Sequence, residues 1–94
     1  MDRKQIESLI LQASEQSTTL DRRQKRRIER VMKSPFRRRA REKIVDDVTA
    51  QMLNEEVIIV TPEGVEMAID LEGILAFIER LLPLVLQLLA LFGG

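Results

Sequence analysis

The stretch LEGILAFIERLLPLVLQLLALF, residues 71–92, limits the choice of fold more than any other part of this chain. At helical spacing it leaves one polar or small stripe, Glu72, Ala76, Glu79, Pro83, Gln87 and Ala90, and nearly everything else is Leu, Ile, Val or Phe. A helix that is apolar around most of its circumference must be buried on several sides. In a chain of 94 residues only about 60–65% of the unfolded surface is buried on folding, so the intrinsic core is marginal. The sequence has no Cys and no His, which excludes disulfides and the usual zinc, haem and iron–sulfur ligand sets. Oligomerisation or docking is the stabilising device left.

Three places could bury this helix: its own domain, a partner, or a membrane. Fourteen residues follow Arg80; they cover about 21 Å as a helix, short of a hydrocarbon core roughly 30 Å thick. The polar stripe also carries Glu and Gln where a surface-lying helix favours Lys and Arg. Partner burial is therefore the expectation. The predicted contact face is Ile74, Phe77, Ile78, Leu81, Leu82, Val85, Leu88, Leu89 and Phe92. Removing residues 81–92 is expected to unfold the chain or reduce an oligomer to monomers. Pro83, inside the segment, is expected to kink the helix or delay its final turns.

Charge is the second constraint. The formal net charge is zero, yet the two signs are kept apart. Residues 21–43 hold twelve Lys or Arg against three Asp or Glu, whereas residues 46–79 hold nine Asp or Glu and no Lys or Arg. The chain is a basic–acidic dipole along its sequence. Whether the two blocks meet inside one subunit decides what each is for.

The remaining pattern predicts a mainly α fold in the order αααββα, with a helical domain over 1–70 and an apolar oligomerisation or docking helix over 71–94. Ile6, Leu9, Ile10 and Ala13 repeat at helical spacing in a first helix ending near Ser17. Basic helices follow over 20–33 and from Pro35 to about Asn54, with Ser17, Thr18 and Thr19 offering caps for the first of them. Ser34 is read as the second one's N-cap, with Pro35 at its first helical position. Phe36, Ala40, Ile44, Val48 and Met52 form the third helix's apolar row. The β-branched run at 57–60, the Thr61-Pro62-Glu63-Gly64 turn and alternation through Ile69 predict a β-hairpin over 57–69. Asp70 is placed to cap the last helix, and Gly93-Gly94 to end it.

The basic block supplies the candidate contact residues Arg22, Arg23, Arg26, Arg27, Arg30, Arg37, Arg38, Arg39 and Arg41. Charge runs are usually solvated faces. Here, however, the third helix begins in arginines and ends in Glu55-Glu56, the reverse of what a helix dipole favours. Lys43 and Asp47 also pair in the poorer orientation. Local helix stability did not select this arrangement, so a tertiary or external partner is expected. Acidic protein surface is one such partner, in this subunit or in a neighbour, where head-to-tail packing would build a ring or filament. Nucleic acid phosphate is the other.

Three helices and a hairpin are also the element order of a winged-helix domain, a likeness of topology alone. The start of the third helix has no Asn or Gln for bidentate adenine contacts, and the only aromatics are Phe36, Phe77 and Phe92. Backbone contact with little sequence preference is what such a surface would give. Replacing Arg37, Arg38 and Arg39 with Ala is expected to abolish it.

Catalysis is not expected. General acid–base work commonly rests on His, and the sequence has neither that residue nor Cys or Tyr. Glycines form no phosphate loop. Asp46-Asp47 and Glu55-Glu56 lack calcium-loop spacing, and Glu79 is adjacent to Arg80. No cofactor or metal is expected. These properties point to a small structural protein that oligomerises or docks on a larger complex, in the manner of a minor phage virion component. A winged-helix-like DNA-binding regulator dimerising through its last helix is the first alternative. A membrane-associated factor inserting that helix is the second. The first ten residues carry no secretion signal, and the expected location is the cytoplasm or a virus particle.

Overall fold

The computed structural model describes residues 1–92. Four helices and one hairpin follow in the expected order: α1 (Arg3–Gln16), α2 (Arg22–Lys33), α3 (Arg38–Asn54), β1 (Ile58–Thr61), β2 (Gly64–Met67) and α4 (Leu71–Leu91). The predicted stop at Gly93-Gly94 lies outside the described residues.

Two short sequences, Asp2-Arg3-Lys4-Gln5 and Asp21-Arg22-Arg23-Gln24, start α1 and α2 in the same way. In each, the Asp carboxylate accepts from the Gln backbone N–H while the Gln side chain accepts from the Asp N–H. These reciprocal bonds satisfy two donors that a helix start leaves open. The cap of α2 is thus Asp21; Ser17, Thr18 and Thr19 form the turn before it, where the buried Ser17 hydroxyl accepts from the Thr19 and Leu20 N–H groups.

α3 begins later than expected. Ser34 ends α2 and accepts from the Phe36 N–H instead of opening α3, and Arg37 is an N-cap without a side-chain hydrogen bond. Phe36 therefore precedes the helix and is 91% exposed, leaving the apolar row it was assigned to. The rest of that row, Ala40, Ile44, Val48 and Met52, is buried.

The far end of α3 is closed by a Schellman motif. Val57 N–H donates to Met52 O at 2.9 Å and Glu56 N–H to Leu53 O at 3.1 Å, with Glu56 at φ 57°. Strand pairing then runs Ile58 with Met67, Ile59 with Glu66, Val60 with Val65 and Thr61 with Gly64. Pro62 and Glu63 make the turn, and Gly64 takes φ 124°, which an L side chain rarely adopts. The Met1 amine donates to Val65 O on the outer edge of β2.

α4 lies against all three preceding helices. Its N-cap is Asp70, whose carboxylate accepts from Gly73 N–H at 2.7 Å. The predicted polar stripe faces outward, exposed everywhere but at the half-buried Glu79. One continuous core joins Ile6, Ile10, Ile28, Ile44, Met52 and Ile58 to Ile74, Ile78, Leu82 and Leu89. The boundary expected at residue 70 is not a boundary in the packing, because α4 supplies the middle of the core that the other helices surround.

Candidate interaction surfaces

The face of α4 assigned to a partner is used inside the subunit. Ile74, Phe77, Ile78, Leu82, Val85, Leu88 and Leu89 are all buried in the chain's own core. Leu81 is half-buried against that core, and only Phe92, 41% exposed, remains open. Three neighbouring helices, not one, pack on this helix, which is why a small chain can cover so wide a face. Arg80 lies over the Phe77 ring, 5.6 Å from its centroid.

The basic block divides into three parts. Arg41 is structural: its guanidinium donates to Ser34 O at 2.6 Å and pairs with Glu7 at 2.9 Å, with both side chains three-quarters or more buried. It thereby ties the C-terminal carbonyls of α2 to α1 and is withdrawn from the predicted contact set. Lys33, Arg38 and Lys43 form local pairs with Glu29, Glu42 and Asp47. Arg22, Arg23, Arg26, Arg30, Arg37 and Arg39 make no ion pair among the described residues. Along α2, Arg22, Arg23, Arg26, Arg27 and Arg30 line one open concavity of about 520 Å³.

The acidic block is equally unneutralised. Asp46 pairs with Arg3 at 2.7 Å and Asp47 with Lys43 at 3.0 Å. Glu55, Glu56, Glu63, Glu66, Asp70, Glu72 and Glu79 make no ion pair among the described residues. Among the ion pairs between described residues, Lys43 with Asp47 is the one that joins one block to the other, and the two are four residues apart on a single helix. The charges segregated in the sequence thus stay largely unpaired among the described residues.

Both ends of α3 also depart from local helix rules. Arginines occupy an uncapped N-terminus where backbone N–H groups already carry positive charge. Glu56 fills the left-handed position that Gly takes at low cost.

A second feature was not legible as a surface in the sequence. Phe36, Leu91 and Phe92 are exposed to 91%, 80% and 41%, and Phe36 and Phe92 line one concavity with Arg37, Arg38 and Arg39. The end of α4 therefore sits beside the start of α3. The hairpin end carries its own exposed apolar side chains, Ile59, Val60, Met67, Ile69 and Leu71.

Among the described residues no group of three or more Asp and Glu is gathered as a metal site would require. α4 is long and apolar enough to cross a membrane by length and composition, with a mean hydropathy of 2.0 over its most apolar window. Comparison of the chain with models of known protein families, with curated proteins and with solved structures gave no match.

Proposed function

We propose that this chain is a non-enzymatic assembly protein that binds its partners through opposed charge, of the kind that serves as a minor structural component of a larger particle. The observation that supports this reading is that, among the described residues, a single ion pair, Lys43 with Asp47, joins the basic block to the acidic one. Keeping like charges together costs stability, and helix rules are broken at both ends of α3 to do it. A contact outside the subunit is the return for that cost. Sedimentation velocity across salt tests the idea. The expected result is concentration-dependent association that weakens as salt rises. A chain that stayed monomeric and also bound no duplex at low salt would sink it.

Nucleic acid is a second partner favoured by one observation, the row of arginines along α2. Arg22, Arg26 and Arg30 recur every helical turn on one side, about 6 Å apart along the axis. Such a row suits backbone phosphates and reads no sequence. Anisotropy with a random-sequence duplex should show affinity falling steeply with salt. Replacing all three with Gln should flatten that slope.

The winged-helix regulator draws less support. On α3, Arg38, Asp46 and Lys43 are engaged with Glu42, Arg3 and Asp47, so the recognition face would be largely neutralised and partly acidic. Membrane insertion of α4 would have to withdraw seven side chains from the core.

A further inference from the structure

We propose that copies of this chain bind head to tail, with the Phe36 end of one subunit seated on the hairpin end of the next. This rests on the assembly reading and goes further by naming the two surfaces.

The ends are defined by α3 and α4. Phe36 precedes α3 and Phe92 follows α4, and both line one concavity with Arg37, Arg38 and Arg39. At the opposite ends of the same helices stand β1 and β2, which join them. α3 has 17 residues and so separates its two ends by about 26 Å.

The head is a knob. Phe36 is 91% exposed, Leu91 and Phe92 extend the apolar area, and Arg37 and Arg39 beside it lack ion-pair partners among the described residues. Single exposed apolar residues are ordinary, but two phenylalanines gathered among arginines make a patch.

The tail is a groove with an apolar lip. In the hairpin register Val60, Val65 and Met67 share one sheet face, and Val60 is 71% and Met67 49% exposed. Met67 and Leu71 line, with Met1 and Leu9, an open groove of about 430 Å³. Methionine adapts its shape to an incoming side chain. Lys4 and Asp2 stand at the rim, and Glu55, Glu56, Glu63, Glu66 and Glu72 around this end lack ion pairs among the described residues.

Charge selects the pairing. Head on head would set arginines against arginines, and tail on tail would set glutamates against glutamates, and like-charge juxtaposition disfavours both. Head on tail matches apolar with apolar and Arg with Glu. A heterologous contact of this kind closes into a ring or runs on as a filament.

The test uses one blocked variant for each end. Phe36→Asp disables the head and Val60→Lys the tail; both positions are solvated, so circular dichroism and the urea midpoint should match the wild type. In sedimentation velocity the wild type should form species larger than dimers, and each variant alone should be monomeric. An equimolar mixture should give a one-to-one dimer and nothing larger, because each variant contributes one intact end. Variants that assemble like the wild type, or a mixture that stays monomeric while the wild type assembles, would overturn the head-to-tail contact and leave the assembly reading standing. A monomeric wild type at low salt would overturn the contact too, and duplex binding would then decide whether the broader reading survives.

Discussion

α2 and α4 are the two compositional extremes of this chain, and the fold treats them in opposite ways. α4 places seven side chains in the core, while α2 contributes only Ile28, Val31 and Met32 and turns its arginines outward. The difference lies in what each kind of surplus needs. Apolar area is non-directional and can be covered by any apolar neighbour, so α1, α2 and α3 together absorb it. Surplus charge is discharged only by opposite charge at short range, and seven of the nine acids of residues 46–79 make no ion pair among the described residues. Apolar excess in a small chain is thus weak evidence for a partner. Charge excess left unpaired after folding is the stronger kind.

The largest expected effect tests the α4 half of this contrast. Leu82 is fully buried in mid-helix. Leu82→Ala should cost about 2–5 kcal/mol, the range for a buried Leu that leaves a cavity, and should lower the urea midpoint of the isolated chain accordingly. A loss under about 0.5 kcal/mol, with association weakened instead, would return α4 to the interface.

Arg41 sharpens the contrast from within the basic block. It binds Ser34 O and Glu7 in a partly buried site, where hydrogen bonds to a charged group are worth about 1.5–3 kcal/mol. Solvent access trims that, so Arg41→Ala should cost about 1–2 kcal/mol, whereas Arg39→Ala should change stability by less than about 0.5. A double-mutant cycle with Glu7→Gln should show coupling between positions 7 and 41. Equal effects at 39 and 41 would erase the distinction between tying and displayed arginines.

How much of this the sequence disclosed depended on whether the signal was local. The hairpin, the Asp70 cap and the core stripe of α1 rest on neighbouring residues alone, and each was legible. Phe36 was misassigned because it continues a four-residue row, yet the row does not reach it once Ser34 and Pro35 form a turn and α3 starts at Arg38. The α4 interface was misassigned for a different reason. Hydrophobic width tells how much of a helix must be covered, but not how many elements of the same chain will cover it. Arg41 could have been separated from its neighbours only by knowing that Glu7 and the end of α2 meet there. The Phe36 and Phe92 cluster likewise depends on two segments far apart in sequence.

Glu56 tests whether the acidic end is maintained against local stability. Its left-handed conformation costs a non-glycine residue about 1–2 kcal/mol, part of which the greater freedom of glycine in the unfolded chain returns. Glu56→Gly should therefore stabilise the isolated subunit by about 0.5–1 kcal/mol and at the same time weaken salt-sensitive association. A destabilised variant would mean that the Glu56 side chain holds the turn itself, and the argument from a broken local rule would fail there.

The smallest effect has an unusual sign. Arg26 sits one turn from both Arg22 and Arg30 on α2, and each like-charge pair at that spacing costs about 0.2–0.5 kcal/mol. Arg26→Gln should remove both repulsions and stabilise the subunit by about 0.5 kcal/mol at low salt, with the gain fading as salt screens the guanidinium groups. Polyanion binding by the same variant should weaken. Opposite movement of stability and binding is what a displayed charge row predicts, since its repulsion is present in the free subunit and relieved only by a partner. If Arg26→Gln lowered stability at every salt concentration, the α2 arginines would be part of the fold, as Arg41 is, and the contrast with α4 would be one of degree.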